Sequence, residues 1–218
     1  MKIFISGIAG FLGSHLADKM ISLNHKVFGC DNLIGGYLDN VPDKAEFHQV
    51  DCNDYSTMLK LTKGIDVVIH CAATAYEGLS VFSPNIVTKN IVGSSVSLIT
   101  ASICNKVKKI VYCSSMARYG SNKVPFTEDQ IWDGYPEETN AAYGLAKKMM
   151  IVQSEAYKKQ YDFDSISIVP TNLYGPGDDF NPITSHVIPA MILKIFNAKN
   201  SNSNSITLWG DGSPTRDF

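Results

Sequence analysis

Short apolar runs alternate with longer amphipathic stretches along most of this chain. The runs at 2–6, 26–31, 46–51, 66–73, 109–115 and 165–169 are rich in Ile, Val and Phe, as short buried strands are. Helical spacing fills the gaps from Gly13 to about Leu23, over Ser56–Thr62, over Pro84–Asn105 and over Asn140–Tyr161. In the third of these, Ile86, Asn90, Val92, Val96, Ile99 and Ile103 fall near one face. Between Ser115 and Asn140 the chain is polar and irregular, with a helix start or turn at Thr127–Gln130. Strands that alternate with helices predict an α/β fold built on a doubly wound parallel sheet. Past Asp178 the pattern changes to a helix over His186–Phe196, a polar loop over Asn197–Ser205 and a strand over Ile206–Gly210. The expected organisation is one large domain over 1–177 and a smaller lobe over 178–218. One helix and one strand bury little, so that lobe reads as incomplete.

Composition narrows the class. With 218 residues, 44% hydrophobic and 18% charged, at a net charge of -2, the balance is that of an ordinary globular protein. No basic block suggests nucleic acid and no acidic tail suggests a solvating segment. Positive charge is nearly all lysine, with Arg118 and Arg216 the two arginines. Cys30, Cys52, Cys71, Cys104 and Cys113 make an odd set without CxxC or Cys/His spacing. They predict buried free thiols in a reducing compartment, with neither a metal site nor a disulfide framework. The first strand starts at Lys2, so no signal peptide is expected before it. No apolar run reaches the roughly 18 residues of a membrane span. A soluble, cytoplasmic protein without membrane contact is the expectation.

The chemistry concentrates at strand ends. Gly7, Gly10 and Gly13 follow the first strand and open the first helix. Glycines there allow a tight turn and let backbone approach a pyrophosphate seated on the helix N-terminus. Asp31 ends the second strand 18 residues past Gly13, where a carboxylate reaches adenosine ribose hydroxyls and repels the extra phosphate of NADP. NAD is therefore the expected cofactor. Asp51 and Cys52 follow the third strand and could meet an adenine edge. The fourth strand turns small at Ala72 and Ala73, leaving room for a ligand, and Asn90 is a polar residue on an apolar stripe. Tyr143 and Lys147, at i and i+4, share one helix face, and a nearby ammonium favours a phenolate, so the pair can act as a base.

Together, GIAGFLG at 7–13, Asp31, HCAA at 70–73, Asn90, SSMARYG at 114–120 and YGLAK at 143–147 resemble the extended short-chain dehydrogenase/reductase family of NAD-dependent nucleotide-sugar epimerases and dehydratases. The resemblance implies a Rossmann-type domain with Gly7, Gly10, Phe11, Leu12 and Gly13 along the pyrophosphate. It places Asp31 and Asn32 at the adenosine ribose, Asp51 and Cys52 at adenine, and Ala72, Ala73 and Asn90 around the inner pocket. Ser115, Tyr143 and Lys147 become the catalytic set, with Ser115, Asn172, His186 and Arg216 at the nucleotide-sugar. The implied reaction is a 4-epimerisation of the UDP-glucose/UDP-galactose type, in a homodimer joined through two helices per subunit. Two other reactions compete with it. Sugar 4,6-dehydratases carry an Asp-Glu pair where this chain has Met116 and Ala117. The half around Thr171–Gly177, Ser185–Pro189 and Leu208–Gly212 resembles GDP-fucose synthases, which pair the histidine matching His186 with a cysteine where Ala117 stands here.

Overall fold

The computed structural model describes residues 1–74, 83–120, 125–213, 215 and 218. They form two compact units, Met1–Pro170 and Thr171–Phe218.

The first unit carries a six-stranded parallel sheet in the order β3-β2-β1-β4-β5-β6. Its strands are β1 (Lys2–Ser6), β2 (Lys26–Asp31), β3 (Glu46–Gln49), β4 (Val67–His70), β5 (Lys109–Cys113) and β6 (Ser165–Ile168). Strand order reverses between β1 and β4, and such a switch point opens a crevice at the carboxyl ends of the strands. The doubly wound fold expected from the alternating pattern is therefore present. Two-residue alternation divides the core. Ile3, Ile5, Val27 and Ile69 pack with Ile8 and Ala17 of the segment leading into and through α1 (Phe11–Ser22). Phe4, Val68 and Ile110 point to the opposite layer, against Met58 of α2 (Tyr55–Leu61) and Leu98. Each such side chain, fully buried, contributes roughly 1.5–3 kcal/mol.

Asp54 starts α2 by accepting the Thr57 N–H at 3.1 Å, an N-cap that satisfies an otherwise orphaned donor. The stretch expected as one helix runs without a break from Pro84 to Cys104, as α3 (Pro84–Thr88), a π-turn (Lys89–Gly93) and α4 (Ser94–Cys104). A π-turn adds a residue and shifts the phase of the helix beyond it. The buried positions are Val87, Ile91, Ser94, Ser95, Leu98, Ile99, Ala101 and Ser102; of the face read from the sequence Ile99 is buried, while Ile86 and Val96 lie exposed. Pro84–Cys104 is also long and apolar enough to cross a membrane by length and composition, contrary to the expectation from run length. Half of that window is buried inside the fold, as in a core helix. Helix α5 (Ala141–Tyr161) covers the β5 side, with Ala146 and Met150 on Tyr112. It ends at Asp162, whose φ of 52° stops the helix in the left-handed region. The irregular segment before α5 holds short 3-10 turns at Met116–Arg118, Glu128–Trp132 and Glu138–Asn140.

In the second unit the helix, α6, runs Val187–Asn200, four residues beyond Phe196 into the expected loop. The strand expected over 206–210 does not form. Its apolar pattern needs a ladder partner, and Leu208 and Trp209 instead stand exposed.

Candidate functional site

The glycine turn sits at the carboxyl end of β1. Gly7 has φ +73°, and a Cβ there would lie 2.7 Å from the Ala72 amide nitrogen; a Cβ on Gly13 would lie 2.0 Å from the Gly7 carbonyl oxygen. Both glycines are thus required by close backbone contact. Gly10 differs, since a Cβ there would meet only the Gly7 oxygen, at 3.2 Å. It is the N-cap of α1, no side chain caps that terminus, and no acid lies in the first turn. First-turn amides of a helix lack intrahelical acceptors, so the N–H groups of Phe11, Leu12 and Gly13 suit a pyrophosphate.

Asp31 closes the same corner. Its carboxylate accepts the Leu33 N–H at 2.8 Å and the Ala9 N–H at 3.2 Å. Burial raises its carboxyl above the ordinary value, and the two amide bonds offset part of that rise. Two oxygens with four acceptor positions retain capacity for ribose hydroxyls. Asn32, next along, accepts the Ile34 N–H at 3.2 Å.

A polar chain links two residues the sequence left separate. Asp51 accepts Asn53 Nδ2 at 2.8 Å, Asn53 Nδ2 donates to Asn90 Oδ1 at 3.3 Å, and Asn90 Nδ2 donates to Thr74 Oγ1 at 2.9 Å. Neither Asn53 nor Thr74 carries a sequence expectation, and only the fold brings them to Asn90. Cys52 lies beside Cys30, sulfur to sulfur 3.4 Å. That neighbour and burial push the Cys30 thiol well up. Cys71 and Cys113 form a second thiol pair at 3.8 Å. All five cysteines are free; Cys104 is exposed and Cys71 only partly buried, so not all are core thiols as expected. Cys104 is the last residue of α4, its sulfur 3.6 Å from the Tyr55 hydroxyl.

The third group gathers Ser115, Tyr143 and Lys147. Lys147 is 3% exposed, donates to the Cys113 carbonyl at 2.7 Å, and holds its Nζ 5.6 Å from the Tyr143 ring centroid. Ser115 follows Cys113 by two residues and accepts the Ala117 N–H at 3.2 Å, which leaves its hydroxyl proton to donate elsewhere. Gly144 lets this loop press on α5: a Cβ there would lie 2.3 Å from the Ala117 oxygen. Arg118 is buried and donates to Ser114 Oγ at 3.1 Å and Ser167 Oγ at 3.4 Å.

Asn172 and His186 lie in the second unit. His186 is exposed and precedes α6 as its N-cap residue without a side-chain cap bond. Arg216 lies outside the described residues.

Residues 3–218 match the NAD dependent epimerase/dehydratase family. The probable GDP-L-fucose synthase 1 of Oryza sativa subsp. japonica is 33% identical over 221 residues, covering 100% of this chain and 63% of the rice protein. The chain thus spans under two thirds of that relative's length. The UDP-glucose 4-epimerase of Mycolicibacterium smegmatis is 32% identical over 227 residues, covering 100% of this chain and 69% of the relative. Among solved structures, the UDP-N-acetylglucosamine 4-epimerase of Methanobrevibacter ruminantium M1, in complex with UDP-N-acetylmuramic acid, superposes with a TM-score of 0.88 at 30% identity, covering 100% of this chain and 68% of that one.

Proposed function

This chain belongs to the NAD dependent epimerase/dehydratase family, and on that premise we propose that it is a nucleotide-sugar 4-epimerase of the UDP-glucose/UDP-galactose type. NAD, the family's cofactor, supplies when bound an acceptor that takes a hydride from the sugar and returns it. The open N-terminus of α1 and the acceptor capacity of Asp31 fit that group. In this reading Gly7, Gly10, Phe11, Leu12 and Gly13 hold the pyrophosphate, Asp31 and Asn32 the ribose, Asp51 and Cys52 adenine, and Ala72, Ala73 and Asn90 the inner pocket.

Tyr143 takes the proton of the sugar 4-hydroxyl through its phenolic oxygen. Lys147 favours the negative charge that develops there, because its ammonium is buried beside the ring and a buried charge is weakly screened. Ser115 donates its hydroxyl proton to the developing carbonyl oxygen. Rotation of the 4-keto sugar before hydride returns would invert the centre. Asn172, His186 and Arg216 are assigned to the nucleotide-sugar, with 1–177 as the cofactor domain and 178–218 as the start of a substrate lobe. Two unbonded thiol pairs fit a reducing, cytoplasmic setting, and a homodimer through the α3–α4 run and α5 is part of the reading.

The observation that carries the proposal is the buried Lys147 ammonium beside the Tyr143 ring on α5, together with a Ser115 loop whose next residues are Met116 and Ala117 rather than acids. That set suits hydride removal and return better than elimination of water. A second reading, a GDP-4-keto-6-deoxymannose epimerase-reductase, is favoured by the rice relative; Asp31 and Ala117 weigh against it. Incubation of the NAD-loaded protein with UDP-galactose is expected to yield UDP-glucose without net NADH. Absence of conversion, with NADPH consumed by a GDP-4-keto-6-deoxy sugar instead, would overturn the epimerase in favour of the reductase.

A further inference from the structure

His70 ends β4 directly opposite Ser6 of β1 in the parallel register. Both side chains face the layer of Phe4, Val68 and Ile110, and His70 is 2% exposed, Ser6 and Ser95 0%. A polar trio in that apolar layer must satisfy its own hydrogen bonds. The partners determine each proton. Ser95 Oγ donates its single proton to the Ile91 carbonyl at 2.5 Å. It must therefore accept from His70 Nε2, 3.0 Å away. Nδ1 is then the acceptor, and Ser6 Oγ, at 2.6 Å, donates to it. The Ser6 oxygen in turn accepts the Ala72 N–H at 3.4 Å. One chain of bonds thus runs from Ala72 through Ser6, His70 and Ser95 to the Ile91 carbonyl.

Its two ends matter. Ser6 and Ala72 flank Gly7, whose backbone touches Ala72 too closely for any Cβ. Ile91 is the middle residue of the π-turn, and Asn90 precedes it on the same turn. A π-turn is less regular than an α-helix and shifts the side chains around it; Ser95, four residues on in the same run, bonds the carbonyl of Ile91, next to Asn90, whose amide reaches Thr74.

We propose that His70, as the Nε2–H tautomer, is a positioning residue that ties the glycine turn and Ala72 to the π-turn bearing Asn90, and so sets the inner wall of the dinucleotide site. The inference rests on the NAD reading of that site. Glutamine reproduces the Nε2 donor and asparagine the Nδ1 side, so the two halves of the chain separate by substitution.

NAD affinity of the full chain is measured by calorimetry for wild type, His70→Gln, His70→Asn, His70→Leu and Ser95→Ala, each with and without Asn90→Ala. The expected result is near-wild-type affinity for His70→Gln and a loss of about tenfold for His70→Asn and His70→Leu. Asn90→Ala is expected to add little to His70→Leu or Ser95→Ala, since one interaction has already been released. Equal affinity of the Gln, Asn and Leu variants, or full additivity with Asn90→Ala, would overturn the proposal. If a His70 variant does not fold, the Ser95→Ala cycle with Asn90→Ala decides by the same criterion. Wild type that binds no NAD would overturn the cofactor reading as well, an outcome distinct from uniform binding across the variants.

Discussion

His70 shows how one buried side chain couples chemistry to stability. Burial first, and the Lys147 ammonium second, hold its imidazole down to about 3, against 6.5 for an unperturbed histidine. Between those values the unfolded chain binds a proton that the folded one does not. Stability from this group is therefore complete above pH 6.5 and is lost as pH falls toward 3, at up to about 1.4 kcal/mol per pH unit. Asp31 acts in the opposite sense: its carboxyl is raised by burial, so the folded state gains relative stability as it protonates. Asp54, lowered to about 2 by its Thr57 and Ser56 hydrogen bonds, loses its contribution only in stronger acid. Thermal unfolding monitored from pH 7 to pH 4.5 should show a falling midpoint in wild type and a flatter profile in His70→Gln. A wild-type midpoint that rises over that range would contradict the neutral buried imidazole. In the sequence His70 stands only within HCAA at 70–73, and its partners are not marked there, because Ser6 and Ser95 lie 64 residues and 25 residues away along the chain.

At the scale of elements, the site depends on where backbones touch. Gly144 sits between Tyr143 and Lys147 in the first turns of α5, and in an exposed helix an alanine there would gain up to about 1 kcal/mol in propensity. The Ala117 oxygen 2.3 Å from the added Cβ, with Pro136 Cβ at 2.9 Å, reverses the sign. Gly144→Ala is expected to push the Ser115 loop off the helix, lower turnover at least tenfold and leave NAD affinity within about threefold, because lost positioning acts on the reacting centre. Single-turnover kinetics beside a binding titration would separate those effects; unchanged turnover would show that the loop can yield. The Asp54 cap, by contrast, is a local contact, an acid three residues before Thr57 whose carboxylate accepts the Thr57 N–H; the sequence pattern places the helix but not its cap. The π-turn was not legible. Nothing in Lys89–Gly93 marks it locally, and it is the packing of Val87 and Ile91 on one side and Leu98 on the other that sets its phase.

Across the whole molecule, the outer face of α5 remains to be covered. Leu145, Met149 and Val152, at i, i+4 and i+7, are 42%, 43% and 43% exposed. A contiguous apolar stripe on a helix otherwise packed into the fold is the kind of surface that self-associates. Light scattering is expected to find a dimer, and Leu145→Glu combined with Met149→Glu a monomer that still binds NAD. A monomeric wild type would remove the dimer from the functional reading. Pro84–Cys104 has the composition of a membrane segment while half of it is buried, because one face packs into the fold and the other still carries Ile86 and Val96 outward.

By itself the sequence determined the parallel α/β architecture, the glycine turn, Asp31 at the end of β2, and Tyr143 with Lys147 on one helix face. Each comes from periodicity or from spacing within about twenty residues, where local geometry dictates which side chains share a face or a strand end. Tertiary structure alone decided that Asp51, Asn53, Asn90 and Thr74 form one polar chain, that Lys147 donates to the Cys113 carbonyl, and that 206–210 is no strand. Those outcomes hang on partners far along the chain or on the lack of a ladder neighbour, and a strand's apolar pattern supplies no hydrogen-bond partner of its own.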